Sequence, residues 1–283
     1  MKIGVSSYSF DSYIEQTKCD YFKICDLAKE MGYDGIEFIN LDWRGLSDNP
    51  MRTAGELKEY CKKIGLEIIA YTVGANFLSD DMEKEMSRIK SCVDVAAELG
   101  APLMRHDVVY ALKKEPLYNY RTAIQEIAPR IREITEYAKT KGVRTCTENH
   151  GYIFQAPERV EELILAVNHE NYGWLCDMGN FLCADAEPAK SVAIAAPYAV
   201  HVHAKDFLVK SGTDIKPVGF GITTNAGSYL RGTVIGHGNV PVASCINALK
   251  KAGYDGYVSV EFEGPEDTLG ALKNGLEYLK ALL

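Results

Sequence analysis

The spacing of apolar and polar residues changes period repeatedly along the chain. Short runs rich in β-branched and aromatic residues occupy 3–8, 35–39, 67–73, 103–108, 144–148, 173–177, 199–205 and 257–263. Apolar runs of this length bounded by turn residues predict buried strands. Between them the apolar spacing lengthens to that of a helix. In 21–31, for example, Phe22, Cys25, Leu27 and Ala28 supply the apolar positions. Helices are predicted over 21–31, 53–64, 81–99, 117–141, 158–167, 188–195, 242–252 and 268–282. Gly32, Gly65, Gly100, Gly142 and Gly253 follow five of these stretches. Glycine stops a helix well because it enters the left-handed region without a Cβ clash.

Eight strand–helix units imply a parallel sheet with right-handed crossovers. Eight such units close a (β/α)8 barrel, an α/β fold, with an open doubly wound sheet as the alternative. No linker, charge block or low-complexity run divides the chain, so one domain over 1–283 is expected. One connection breaks the short-loop pattern. The segment 206–240 after the seventh strand is long and glycine-rich, and long loops in compact domains tend to be functional or mobile.

Charge and composition narrow the partners. The chain has 31 Lys and Arg against 39 Asp and Glu, a net charge of −8. A nucleic-acid binder normally carries a basic stripe to displace phosphate counterions, so no nucleic-acid partner is expected. No stretch approaches the roughly 18 apolar residues of a membrane helix, and the N-terminus lacks the pattern of a signal peptide. The eight cysteines are scattered singly, with no Cys-x-x-Cys pair. Reduced thiols and a cytoplasmic location follow as expectations.

In a barrel of this type, chemistry sits where strands end and the following loops begin. Four consecutive strands end with polar residues: Thr147-Glu148-Asn149-His150, Cys176-Asp177-Met178-Gly179-Asn180, His201-Val202-His203-Ala204-Lys205-Asp206 and Ser259-Val260-Glu261-Phe262-Glu263. A lone acid at a strand end is usually a cap or an ion-pair partner. Four successive ends carrying acids and an imidazole favour a site. Residues i and i+2 share a strand face, which groups His201 with His203 and Lys205, and Glu261 with Glu263. Carboxylate oxygens with one imidazole suit Mn²⁺, Mg²⁺ or Co²⁺, with Zn²⁺ as a further option.

These motifs, together with Ser7-Tyr8-Ser9-Phe10 and Gly32-Tyr33-Asp34-Gly35-Ile36-Glu37, resemble the xylose isomerase-like TIM-barrel superfamily over essentially the whole chain. This group includes sugar phosphate isomerases and epimerases, ketose 3-epimerases and inosose dehydratase. The resemblance implies one divalent ion, Mn²⁺ by preference, held by Glu148, Asp177, His203 and Glu261, with Glu263 as the competing choice on the last strand. It implies a small sugar or polyol-derived substrate and an isomerase or epimerase reaction. There a metal-stabilised enediolate forms and Glu148 and Glu261 move the proton. A homo-oligomer is consistent with it.

Two departures bear on the reaction. The epimerases place a His three residues after the metal Asp, where this chain has Asn180. The Lys205-Asp206 pair is similar to inosose dehydratase, and a lysine at the mouth can protonate a leaving hydroxyl. A dehydratase using Lys205 is therefore the alternative. Glu37, His106, His150, Asn180, Arg231 and His237 are the candidate substrate contacts. Of the neighbours Arg105 and His106, which face opposite ways, His106 is preferred for the mouth. His150 is also a candidate partner of Glu148. Tyr8, Phe10 and Trp43 are candidates for an apolar wall, or else for core. An endonuclease IV-like nuclease shares the fold but needs more ligands and a positive face, and six His with an acidic balance argue against it. A non-catalytic binding protein does not account for a full Glu/Asp/His/Glu set.

Overall fold

A computed structural model describes residues 1–283. Eight strands form a closed, all-parallel barrel: β1 (Lys2–Ser6), β2 (Gly35–Ile39), β3 (Glu67–Val73), β4 (Leu103–His106), β5 (Arg144–Glu148), β6 (Tyr172–Asp177), β7 (Ala199–Ala204) and β11 (Tyr257–Val260). Closure is visible at Val5, which lies opposite Ile36 on one side and Val260 on the other. The helices are α1 (Asp11–Thr17), α2 (Tyr21–Met31), α3 (Pro50–Ile64), α4 (Met82–Leu99), α5 (Tyr120–Thr140), α6 (Pro157–Val167), α7 (Pro188–Ala195), α8 (Val242–Lys251) and α9 (Thr268–Leu282). Their ends obey local chemistry. The Asp20 side chain accepts from Lys23 N–H to start α2, and Gly32 closes it in the left-handed region at φ 91°. This satisfies backbone groups that a helix terminus otherwise leaves unpaired.

The predicted elements recur with small shifts at their ends. Strand β11 stops at Val260, so Glu261 and Glu263 lie just beyond it rather than within it. Helix α1 was not anticipated; it is an extra short helix in the first strand-to-helix connection. The 206–240 segment is not an unstructured loop. It folds into a small antiparallel sheet of order β8-β10-β9, from β8 (Asp206–Lys210), β9 (Ile222–Thr223) and β10 (Tyr229–Thr233). Asp206 joins the ends of this excursion. Its carboxylate accepts from the N–H groups of Phe207, Gly236, Gly238 and Val240 at 2.8–3.0 Å.

The main apolar core includes buried residues on the outward strand faces and the helices. A second, small cluster contains Ala70, Leu103, Cys146 and Leu175. Each is followed two residues later, on the same strand face, by a polar side chain: Thr72, Arg105, Glu148 and Asp177. An apolar layer therefore underlies the polar layer at the C-terminal ends of the strands.

Candidate metal centre and cavity

Four strands converge on one point. Single ligand atoms from Glu148, Asp177, His203 and Glu261 all lie within 4.8 Å of one another, and all four residues are buried. His203 Nδ1 is 3.4 Å from Glu261 Oε2, 3.6 Å from Glu148 Oε1 and 3.7 Å from Asp177 Oδ2. Asp177 Oδ2 and His203 Nδ1 are fully buried and have no hydrogen-bond partner. Leaving such atoms unpaired is costly. A shared cation resolves the cost, and a divalent ion with bonds of about 2.1 Å keeps its donors roughly 3 Å apart, close to these spacings. The donor set of three carboxylates and one imidazole fits a divalent metal ion.

The ligand candidates are held from outside. Arg105 Nη2 lies 2.6 Å from Glu148 Oε2 and 2.7 Å from Asp107 Oδ1. Asn180 Nδ2 donates to Glu148 Oε1 at 2.8 Å. Across the cluster, Lys205 Nζ is 2.5 Å from Glu261 Oε2, 3.5 Å from Asp177 and 3.8 Å from Glu263. Asp177 Oδ1 accepts from the backbone N–H groups of Gly179 and Asn180. A Cβ at Gly179 would meet the Lys205 carbonyl oxygen at 2.8 Å, so glycine lets this turn pass close under β7. Asn149 ties β5 to β6, donating to the Asp177 carbonyl and accepting from Asp177 N–H and Trp174 Nε1.

Charge balance follows from these contacts. Burial opposes ionisation of Glu148 and Glu261, but Arg105 beside the first and Lys205 beside the second hold both below the ordinary carboxylate range. Burial likewise works against a charged Lys205, and Glu261, Glu263 and Asp177 outweigh it and push it up. Asp107 is pulled down to about 2, as Arg105 overcomes the burial that would raise it.

A cavity of about 370 Å³ opens over the cluster, a size suited to a small molecule. Polar groups lining it include Arg105, Asp107, Glu148, His150, Lys205, Glu261 and Glu263, with Tyr8, Trp43 and Tyr110 as aromatic walls. The expected contacts divide accordingly. Glu148, Asp177, His203, Glu261, Lys205 and Asn180 come together, and Glu263 stays outside the four-residue cluster. The remaining candidates take other places. His106 turns away from the mouth and packs against Phe77 and Tyr172, while its neighbour Arg105 faces inward. Glu37 is fully buried beneath the cluster and does not line the cavity. His150 reaches the rim but pairs with Asp107 at 2.9 Å, not with Glu148. Arg231 lies near Glu266 and over Phe220, and His237 is on an exposed turn; neither lines the cavity. Phe10 belongs to the core. Lys205 and Asp206 form no ion pair, since one enters the cavity and the other organises the excursion. Asp107 and Tyr110 went unread in the sequence, and Arg105 was the alternative set behind His106. The Leu103–Arg105 alternation was the available signal for Arg105.

Fold and centre together define a (β/α)8 protein with a carboxylate–imidazole site at the C-terminal end of its strands. The chain belongs to the xylose isomerase-like TIM barrel family, which it matches over residues 25–282. It is 26% identical over 253 residues to the rhizopine catabolism protein MocC of Rhizobium meliloti, covering 83% of this chain and 72% of that protein. It is 29% identical over 164 residues to an inosose dehydratase of Serratia proteamaculans, covering 54% and 51%. Its fold superposes on D-psicose 3-epimerase with D-tagatose from Clostridium cellulolyticum H10 with a TM-score of 0.75, at 16% identity, covering 100% and 99%. No helix is long and apolar enough to cross a membrane.

Proposed function

We propose that this protein is a divalent-metal-dependent lyase that removes water from an uncharged polyhydroxy ketone of the inosose type. The observation that carries this reading is Lys205. It is buried, it enters the cavity, and its ammonium rests on Glu261. The ion, Mn²⁺ by preference, is assigned to Glu148, Asp177, His203 and Glu261. Bound there, it would supply Lewis acidity to a substrate carbonyl.

The chain's own groups then divide the proton work. A carboxylate has about four lone-pair sites, so Glu148 still has acceptor capacity beyond Arg105 and Asn180 and takes the proton α to the carbonyl. The C–H electron pair forms the new C=C bond as the β-hydroxyl leaves. Lys205 gives that hydroxyl a proton, and water departs. Glu261 holds the Lys205 ammonium in place. The likeness to inosose dehydratase supports the same outcome. Arg105 is spent on Glu148 and Asp107, and Lys205 is surrounded by three acids. Each basic side chain lining the cavity is thus already matched by acids, His150 by Asp107, which favours a neutral substrate. Eight free cysteines, six of them buried, support the cytoplasmic assignment.

A second reading, isomerisation or epimerisation of a ketose or aldose, is favoured by one observation. Glu148 and Glu261 both reach the cavity, so each can exchange a proton with the substrate. Incubating the Mn²⁺-loaded protein with inososes, ketoses and aldoses in D₂O, followed by proton NMR, separates the two. Water loss giving a conjugated ketone supports the lyase. Deuterium incorporation with an inverted centre or a migrated carbonyl, and no water loss, replaces it with the second reading.

A further inference from the structure

Glu37 lies behind the metal centre and takes no part in the chemistry above. It is on β2, fully buried, with its carboxylate between two imidazoles from β7. His201 Nε2 is hydrogen-bonded to Glu37 Oε2 at 2.6 Å. His203 Nε2 sits 2.7 Å from Glu37 Oε1, close but without full hydrogen-bond alignment. The other nitrogen of His203, Nδ1, faces Glu148, Asp177 and Glu261. The two nitrogens of this ring therefore serve opposite sides, one toward Glu37 and one toward the carboxylate cluster.

A neutral imidazole carries one N–H, and the partner of one nitrogen decides what the other offers. With the proton on Nε2, directed at Glu37, the Nδ1 lone pair is presented to the cluster. We propose that Glu37 is the positioning residue of the metal centre. It fixes the tautomer and ring plane of His203 from behind, and His201, on the second carboxylate oxygen, fixes Glu37. The proposal rests on the reading of Glu148, Asp177, His203 and Glu261 as metal ligands.

A second ion among Glu37, His201 and His203 is the competing explanation, since their donors lie within 4.8 Å of one another. The spacing argues against it. Two donors sharing one ion with bonds of about 2.0–2.1 Å stay roughly 3 Å apart or more, whereas these pairs are at 2.6 and 2.7 Å. Glu37→Gln is the informative substitution. It keeps size and shape but leaves one acceptor oxygen for two ring N–H groups. One imidazole must then present an unprotonated Nε2 to the new amide.

The test is Mn²⁺ binding by the full chain, measured by chelator competition and electron paramagnetic resonance. Glu37→Gln is expected to weaken binding about 10–100-fold, with His201→Gln weakening it less. The melting temperature of the metal-free protein is recorded alongside. A purely structural role predicts a lower melting temperature with unchanged Mn²⁺ affinity, and that result overturns the proposal. So does loss of a second Mn²⁺ equivalent in Glu37→Gln. Should Glu37→Gln fail to fold, ¹⁵N-histidine NMR of the unaltered, Zn²⁺-loaded protein decides. Protonated Nε2 on His203 supports the proposal, and protonated Nδ1 overturns it. If Glu148→Gln also leaves Mn²⁺ binding untouched, the metal reading itself falls, and that outcome is distinct from failure at Glu37 alone.

Discussion

The two flanks of the candidate metal centre carry the same pairing, a glutamate against a cation, but build it differently. On one flank Glu148 is held by the Arg105 guanidinium and by the Asn180 amide, and Arg105 is itself anchored by Asp107. On the other, Glu261 meets a lysine whose further neighbours are acids. Guanidinium is a planar, permanently charged donor, whereas ammonium is a point charge that can exchange its proton. The difference teaches which flank is scaffold and which can deliver a proton. A symmetric pair of carboxylates would suit proton exchange on both faces of a substrate. This asymmetry suits removal of a proton on one side and protonation of a leaving group on the other.

The comparison breaks most directly at the glutamates. Glu148→Gln and Glu261→Gln are each expected to lower kcat/KM by about 10³-fold, because on the proposed reading the first removes a metal donor and the base, and the second a metal donor and the seat of Lys205. Steady-state rates on the best substrate from the D₂O screen measure this, and an active Glu148→Gln protein would end the scaffold-and-base role of that flank. The Lys205→Met substitution tests the asymmetry itself. Water loss should fall about 100-fold, while exchange of the α-proton with D₂O persists. An equal loss of both would place Lys205 in binding rather than in protonation.

His106 sharpens the picture from the Glu148 flank. It adjoins Arg105 on β4 yet faces the other way, and burial holds its imidazole down at about 4. In the unfolded chain a histidine titrates near 6.5. Between these values the unfolded state binds the extra proton, so stability falls as pH drops from about 6.5 toward about 4. The slope contributed is about 1.4 kcal/mol per pH unit. Denaturant unfolding at pH 6 and pH 5 measures it, and His106→Gln should flatten the dependence. An unchanged slope would mean that His106 is protonated in the fold. The smallest effect belongs to the excursion after β7. Arg231→Ala and His237→Ala should each change kcat/KM by less than about twofold, since neither side chain lines the cavity. A tenfold loss would bring that sheet into substrate binding.

Much of this was legible in the sequence. Alternating strand and helix patterns, each punctuated by a stop such as Gly32 or Gly65, specify the barrel because local backbone chemistry decides where elements end. The four strand-end donors were legible for a similar reason. In a parallel barrel every strand's C-terminal end faces the same side, so polarity at those ends marks the mouth. Extra elements such as α1 and the β8-β10-β9 sheet were not legible, because the period signal weakens in short or irregular segments.

By itself, then, the sequence determined the repeated unit, its count, and the residue types gathered at the strand ends. Only the tertiary structure decided which face of each strand turns inward and how deep each side chain sits. Alternation says that Arg105 and His106 oppose each other, but closure of the barrel chooses Arg105 for the cavity. Glu37 ends a strand motif much as Glu148 does. Its register opposite Ala70, in the layer beneath Thr72, puts it below the centre, against His201 and His203. Register between neighbouring strands is a property of the closed sheet, and no single stretch of chain carries it.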